Sequence, residues 1–218
     1  MSTQLAIFDC DGTLIDGQAS ICEAMELAFA KNDLEAPERN QIRRAVGLSL
    51  PVAIRLLAPQ ADADTQSGVV ESYKQAFRTA RSEGRLAQPL IPGILDVLKA
   101  LHGAGWILGV ATGMSERGLT HCLASHGITD MFMTLQTADG HPSKPDPSMA
   151  NAACFETATD ADNAVMIGDT VFDMQMAGRA GMAGIGVDWG YHAPDDLAAA
   201  GAQFIAETPG QLTEYLLA

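Results

Sequence analysis

Short, wholly apolar runs recur along this chain, and each stops abruptly at polar residues or glycine. Leu5–Phe8 runs into Asp9, Trp106–Ala111 into Thr112, and Ala164–Ile167 into Gly168-Asp169, while Phe132–Leu135 leads to a loop holding Lys144-Pro145. Such runs, without polar alternation, predict strands buried on both faces. Helical patterns lie between them: Ile94–Leu101, Glu116–Ser125, a helix from Pro147 and Phe172–Ala180, with Gly103, Gly127 and Gly181 as stop signals. Ala183–Val187 adds a strand, Gln203–Ile205 an edge strand, and Gln211–Leu217 a closing helix. Alternating strands and helices of this kind predict an α/β fold, a parallel sheet with helices on both faces. Ligands then bind beyond the carboxyl ends of the strands, where the polar residues gather.

One stretch breaks the alternation. From about residue 17 to 85 there is no strand signal, only helical spacing. Ile21, Met25, Ala28 and Phe29 mark one helix, Pro37 and Pro51 open two short ones, and Val69, Tyr73, Ala76, Phe77 and Ala80 share a face of a longer one. The expected division is a core of residues 1–15 and 87–218, interrupted by an all-helical domain at 16–86. The 218 residues and 47% apolar content suffice for both. Thirteen Lys and Arg against 27 Asp and Glu give a net charge of −14, which opposes phosphate-backbone binding and excludes a nucleic-acid partner. No apolar run approaches the about 20 residues of a membrane helix, so no membrane partner is expected. Acids follow the first apolar run at once, leaving no export signal, and Cys10, Cys22, Cys122 and Cys154 are scattered. A cytoplasmic protein with reduced thiols is the expectation; monomer and dimer both stay open.

Asp9 and Asp11 stand two residues apart with Gly12 and Thr13 behind them. Carboxylates held this close raise one another's pKa unless a cation intervenes. A two-acid loop alone is unremarkable, but the string Asp9-Cys10-Asp11-Gly12-Thr13-Leu14-Ile15-Asp16 resembles the first motif of the haloacid dehalogenase-like hydrolases. Thr112, Lys144-Pro145 and Gly168-Asp169-Thr170-Val171-Phe172-Asp173 follow in that family's order. Taken singly, Thr112 is a turn residue, Lys144 a solvated charge and Asp169 a helix cap; their joint placement at strand ends defeats those readings. The resemblance implies a Rossmann-like core with a helical cap of the C1 type.

It also implies roles. Asp9 would attack phosphorus and carry an aspartyl phosphate, and Asp11 would protonate the departing oxygen. Thr112 and the Gly113 N–H would hold a phosphoryl oxygen, and Lys144 would offset the charge. Mg²⁺, which favours oxygen ligands, would sit on the Asp9 carboxylate, the Asp11 main-chain carbonyl and Asp169. Asp173 would orient Lys144 or a water of the metal. Arg43, Arg44 and Ser49 around the Gly47 segment are the expected substrate contacts from the cap. An acid at position 11 argues against dehalogenase and phosphonatase chemistry, and Gly113 stands where many relatives carry Asn. The closest likeness is to phosphoglycolate phosphatase-like enzymes, implying a small phosphorylated metabolite as substrate. A phosphosugar mutase of the β-phosphoglucomutase type is the alternative, although Leu50 stands near that group's phosphate-gripping Arg. A receiver-like phospho-binding domain, from a different class, lacks both the insertion and the second acid.

Overall fold

The computed structural model describes residues 4–218, so residues 1–3 of the expected first core segment lie outside it. Six parallel strands form one sheet in the order β3-β2-β1-β4-β5-β6. They are β1 (Leu5–Phe8), β2 (Ile107–Thr112), β3 (Thr134–Thr137), β4 (Ala164–Gly168), β5 (Ala183–Val187) and β6 (Phe204–Ala206). The two faces are filled by strict alternation along β1. Leu5 and Ile7 pack with Met149, Ala150, Ala153 and Met176, whereas Ala6 and Phe8 pack with Leu98, Leu101, Leu119 and Leu123 on the other side. Covering helices on both faces explain why the strands carry no polar alternation.

Helices α1 (Gln18–Lys31), α2 (Arg39–Ala45), α3 (Leu50–Leu57) and α4 (Ala63–Ser82) all lie between β1 and β2. They have a core of their own, with Ile21, Met25, Phe29, Ile42, Ile54 and Val69 buried together. The chain leaves and re-enters the sheet through two adjacent segments. The Asp16 N–H donates to Pro89 O at 2.8 Å, and the Ile91 N–H to Leu14 O at 2.9 Å. Helices α5 (Ile94–Gly103), α6 (Glu116–Ser125), α7 (Ser148–Thr157), α8 (Val171–Ala180), α9 (Pro194–Ala199) and α10 (Pro209–Leu217) complete the core. In α5, Ile94, Val97, Leu98 and Leu101 form the buried stripe that the spacing predicts.

Two details differ from the sequence expectation. Strand β3 begins at Thr134 rather than Phe132. Phe132 is buried but precedes the ladder, and the polar pair Gln136 and Thr137 is inside it. Its polar partners sit on this sheet edge: Thr134 Oγ1 donates to Glu156 and Gln136 Nε2 to Thr134 Oγ1. Helix α9 was not anticipated, since only Pro194 at its first turn and Leu197 inside it mark it. No helix among the described residues is long and apolar enough to cross a membrane. The sheet order reverses direction at β1, which pairs with β2 on one side and β4 on the other. The crevice outside their carboxyl ends is therefore the place for a site.

Candidate active site

Strand β1 delivers Asp9 into that crevice, held by its N–H donating to Ile167 O of β4 at 2.8 Å. The chain then curls back, with the Leu14 and Ile15 N–H groups both donating to Cys10 O. Gly12 makes the curl possible: its φ is +89°, and a Cβ there would collide with Asp169 Oδ2. Thr13 Oγ1 donates to Asp169 Oδ1 at 2.8 Å, and the Tyr191 N–H donates to Oδ2 at 2.9 Å. Asp169 is thus fixed from two loops. In the first turn of α8, the Asp173 carboxylate takes the Thr170 N–H and hydroxyl on Oδ2 and Lys144 on Oδ1, the last at 2.6 Å. The same Lys144 Nζ lies 2.9 Å from Asp9 Oδ1. Thr112 is buried at the end of β2, its Oγ1 accepting the Met114 N–H at 3.2 Å.

Oxygens of Asp9, Asp169 and Asp173 come within 4.8 Å of one another. Burial pushes the Asp9 carboxyl up to about 6, with Asp173 adding to the rise and Lys144 opposing it. Asp11 rises to about 7, again chiefly through burial and then through the Asp9 charge. Asp169 is driven well above the carboxylate range by burial, Asp9 and Asp173. Burial disfavours the charge on Lys144, but Asp173 and Asp9 win and hold it above its ordinary value. One buried ammonium among three buried acids leaves the cluster short of positive charge. Asp9 Oδ1 is paired with Lys144, and Asp9 Oδ2 has no partner. Hard oxygen donors close together, with one left unpartnered, suit a small divalent cation. Both Asp173 oxygens are engaged by Lys144 and Thr170, so Asp173 acts through Lys144, while Asp9 keeps Oδ2 free.

The helical domain closes over this cluster. The Ser49 N–H donates to Ser143 Oγ at 2.8 Å, and Gly47, with φ +93°, rests against Thr170. A Cβ on Gly113 would stand 2.5 Å from Leu48 O and 2.8 Å from Gly47 O. That contact accounts for glycine where an Asn was noted as usual: the covering loop occupies the side chain's place. A cavity of about 510 Å³ remains, with Asp9, Asp11, Thr112, Gly113 and Ser49 in its wall.

Arg43 and Arg44 do not line it, contrary to the sequence expectation. Helix α2 buries Ile42 and Ala45, and the half-buried Arg43 has its Nε enclosed without an acceptor, outside the cavity wall. Arg44 pairs with Asp196 at 3.0 Å on the surface. The cavity's cations come instead from α4 and α6: Lys74, Arg78, Arg81 and Arg117. Sequence spacing places Tyr73 and Phe77 on one face of α4, and the cations flanking that stripe line the cavity with them. His141 bridges Gln136 and Ser148.

Comparison with known proteins agrees with this geometry. Residues 6–187 match the family model described as haloacid dehalogenase-like hydrolase. The chain is 36% identical over 210 residues, 94% of this chain and 89% of the other, to "Probable phosphatase IndB" of Dickeya dadantii. It is 28% identical to a phosphoglycolate phosphatase of Vibrio cholerae, over 99% of this chain and 98% of that one. The crystal structure of a hydrolase from Pseudomonas syringae superposes with a TM-score of 0.86 at 24% identity, covering 98% of each chain.

Proposed function

Because the chain belongs to the haloacid dehalogenase-like hydrolases, we propose that it is a Mg²⁺-dependent phosphatase of small phosphorylated metabolites, acting through an aspartyl phosphate on Asp9. The observation that carries this reading is the state of Asp9. It is buried, its Oδ1 is paired with Lys144 while its Oδ2 has no partner, and it lies in the wall of the cavity beside Asp11 and Thr112. A desolvated carboxylate with one oxygen free and a cation beside the other is suited to act as a nucleophile.

The cation would be held by the Asp9 and Asp169 carboxylates and the Asp11 main-chain carbonyl. When bound, Mg²⁺ supplies positive charge to the phosphoryl oxygens and lets Asp9 stay ionised. An Asp9 oxygen attacks phosphorus as the bond to the departing oxygen breaks. Asp11, whose pKa near 7 keeps much of it protonated at neutral pH, gives its proton to that oxygen. The leaving alcohol departs, and Asp11 then takes a proton from the water that attacks phosphorus. Inorganic phosphate leaves and Asp9 is restored. Lys144, held by Asp173, balances the charge on the nucleophile, and Thr112 with the Gly113 N–H receives a phosphoryl oxygen.

Residues 16–86 are proposed as the lid that excludes water and selects the substrate. Steady turnover of an aryl phosphate with Mg²⁺ tests the reading. Activity should vanish in excess chelator and return with Mg²⁺; full activity in chelator would refute it.

A further inference from the structure

The cavity is shaped for more than a phosphoryl group. Four of the chain's thirteen Lys and Arg residues line it, in a protein of net charge −14. Among the described residues, Arg78, Arg81 and Arg117 form no ion pair with a carboxylate, whereas Lys74 is paired to Glu71. Arg81 Nε is buried with no acceptor. Arg81 of the cap and Arg117 of the core line the same cavity, and both place positive charge at His121. Two like charges in one cavity wall, one partly desolvated, are suited to share an anion between them. Asp139 lines the same cavity, but its Oδ2 already accepts the Glu116 N–H at 2.9 Å.

The pair is set along α4 from the catalytic end. Tyr73 lies at the end that feels the charge of Asp11. Arg81 is eight residues further, a backbone rise of about 12 Å along the helix axis. The Tyr73 and Phe77 rings along that stretch lie 4.9 Å apart with their planes tilted by 38°, and Ile21, Met25 and Ile42 add apolar wall. This aromatic and apolar lining suits a substrate body larger than that of a two-carbon phospho-acid.

We propose that Arg81 and Arg117 form a second anion subsite. The substrate is then an elongated phosphomonoester: phosphate at Asp9, an apolar or aromatic body over Tyr73 and Phe77, and a distal carboxylate or phosphate at the arginine pair. The proposal rests on the phosphatase reading for its other end.

The test compares 4-(carboxymethyl)phenyl phosphate, its methyl ester, and the analogue with a distal phosphate in place of the carboxylate. In the native protein, one or both compounds with a distal anion should exceed the ester in kcat/KM at least about tenfold, the worth of one charge-assisted hydrogen bond. The better of the two identifies the distal group. Arg81→Met and, separately, Arg117→Met should each bring that ratio close to one. Equal kcat/KM for the ester and both charged compounds in the native protein overturns the proposal, as does a ratio that survives both substitutions. The matching non-hydrolysable phosphonates, measured by calorimetry, give the same ratios as affinities. If no phosphate ester is turned over, the phosphatase reading fails, and the calorimetric ratios still decide the subsite.

Discussion

The fold buries the Asp9 carboxylate with only Lys144 to offset the lost solvation, which lowers stability at neutral pH in the absence of metal. Its pKa in the folded chain is about 6, against about 3.9 when unfolded. A carboxyl with a raised folded pKa favours the folded state only while protonated. Its contribution is complete below about pH 4 and is lost as pH rises through about 6; Asp11 extends the loss towards about 7. In chelator, Asp9→Asn should therefore melt higher than the native chain at pH 8 and nearly alike at pH 4, and Mg²⁺ should narrow the gap at pH 8. A thermal-melting series over pH 4–8 checks this, and a gap that shrinks with rising pH contradicts it. Asp9 and Asp169 were legible in the sequence because each stands at the end of a short apolar run, and Lys144 because Lys144-Pro145 follows in the family's motif order. The bonds by which Thr13, Thr170 and Tyr191 hold them in place were not, because a neutral hydroxyl or a backbone donor has no pattern of its own.

Elements were legible where one face must be buried. The stripes of α5 and the apolar strands β1, β2 and β4 emerge within a residue or two of expectation. At the sheet edge the rule fails: β3 keeps polar residues inside the ladder, so the apolar run marks its approach rather than the strand. Helix α2 misled in another way. Its seven residues bury only Ile42 and Ala45, and charge alone suggested Arg43 and Arg44 as ligands. The direction a short helix faces depends on where its loops dock. That docking makes Gly113 a sensitive position. Gly113→Ala should leave the melting temperature of the fold near the native value, since the clash is with the Leu48 carbonyl of the covering loop. Its kcat/KM should fall by about 10–100-fold, the usual cost of displacing a closing element by about 1 Å. Unchanged kinetics on a small phosphate ester would show that the α2–α3 loop does not close on β2 during turnover.

At the scale of the whole molecule, the proposed function assigns catalysis and selection to different parts of the chain. The sheet gathers Asp9, Thr112, Lys144, Asp169 and Asp173 from four strand ends, while α1 to α4 and α6 supply most of the cavity wall. The alternation of strands and helices made the core legible, and the strandless stretch made the insertion legible. How the two meet was not legible, because contacts such as Ser49 to Ser143 join residues 94 positions apart. The net charge of −14 repels an anionic substrate at long range, but screening confines that penalty to about 8 Å at physiological salt. Inside the cavity, Lys74, Arg78, Arg81 and Arg117 bring positive charge to the wall. The central claim is the covalent bond between phosphorus and Asp9, and one experiment addresses it directly. A single turnover of aryl phosphate with Mg²⁺ is quenched within the burst, reduced with borohydride, digested and mapped by mass spectrometry. Reduction of an acyl phosphate converts the aspartate that carried it to homoserine. The account predicts homoserine at position 9 and at no other acid. A burst of alcohol release with residue 9 unmodified, or modification at Asp11 or Asp169 instead, contradicts it.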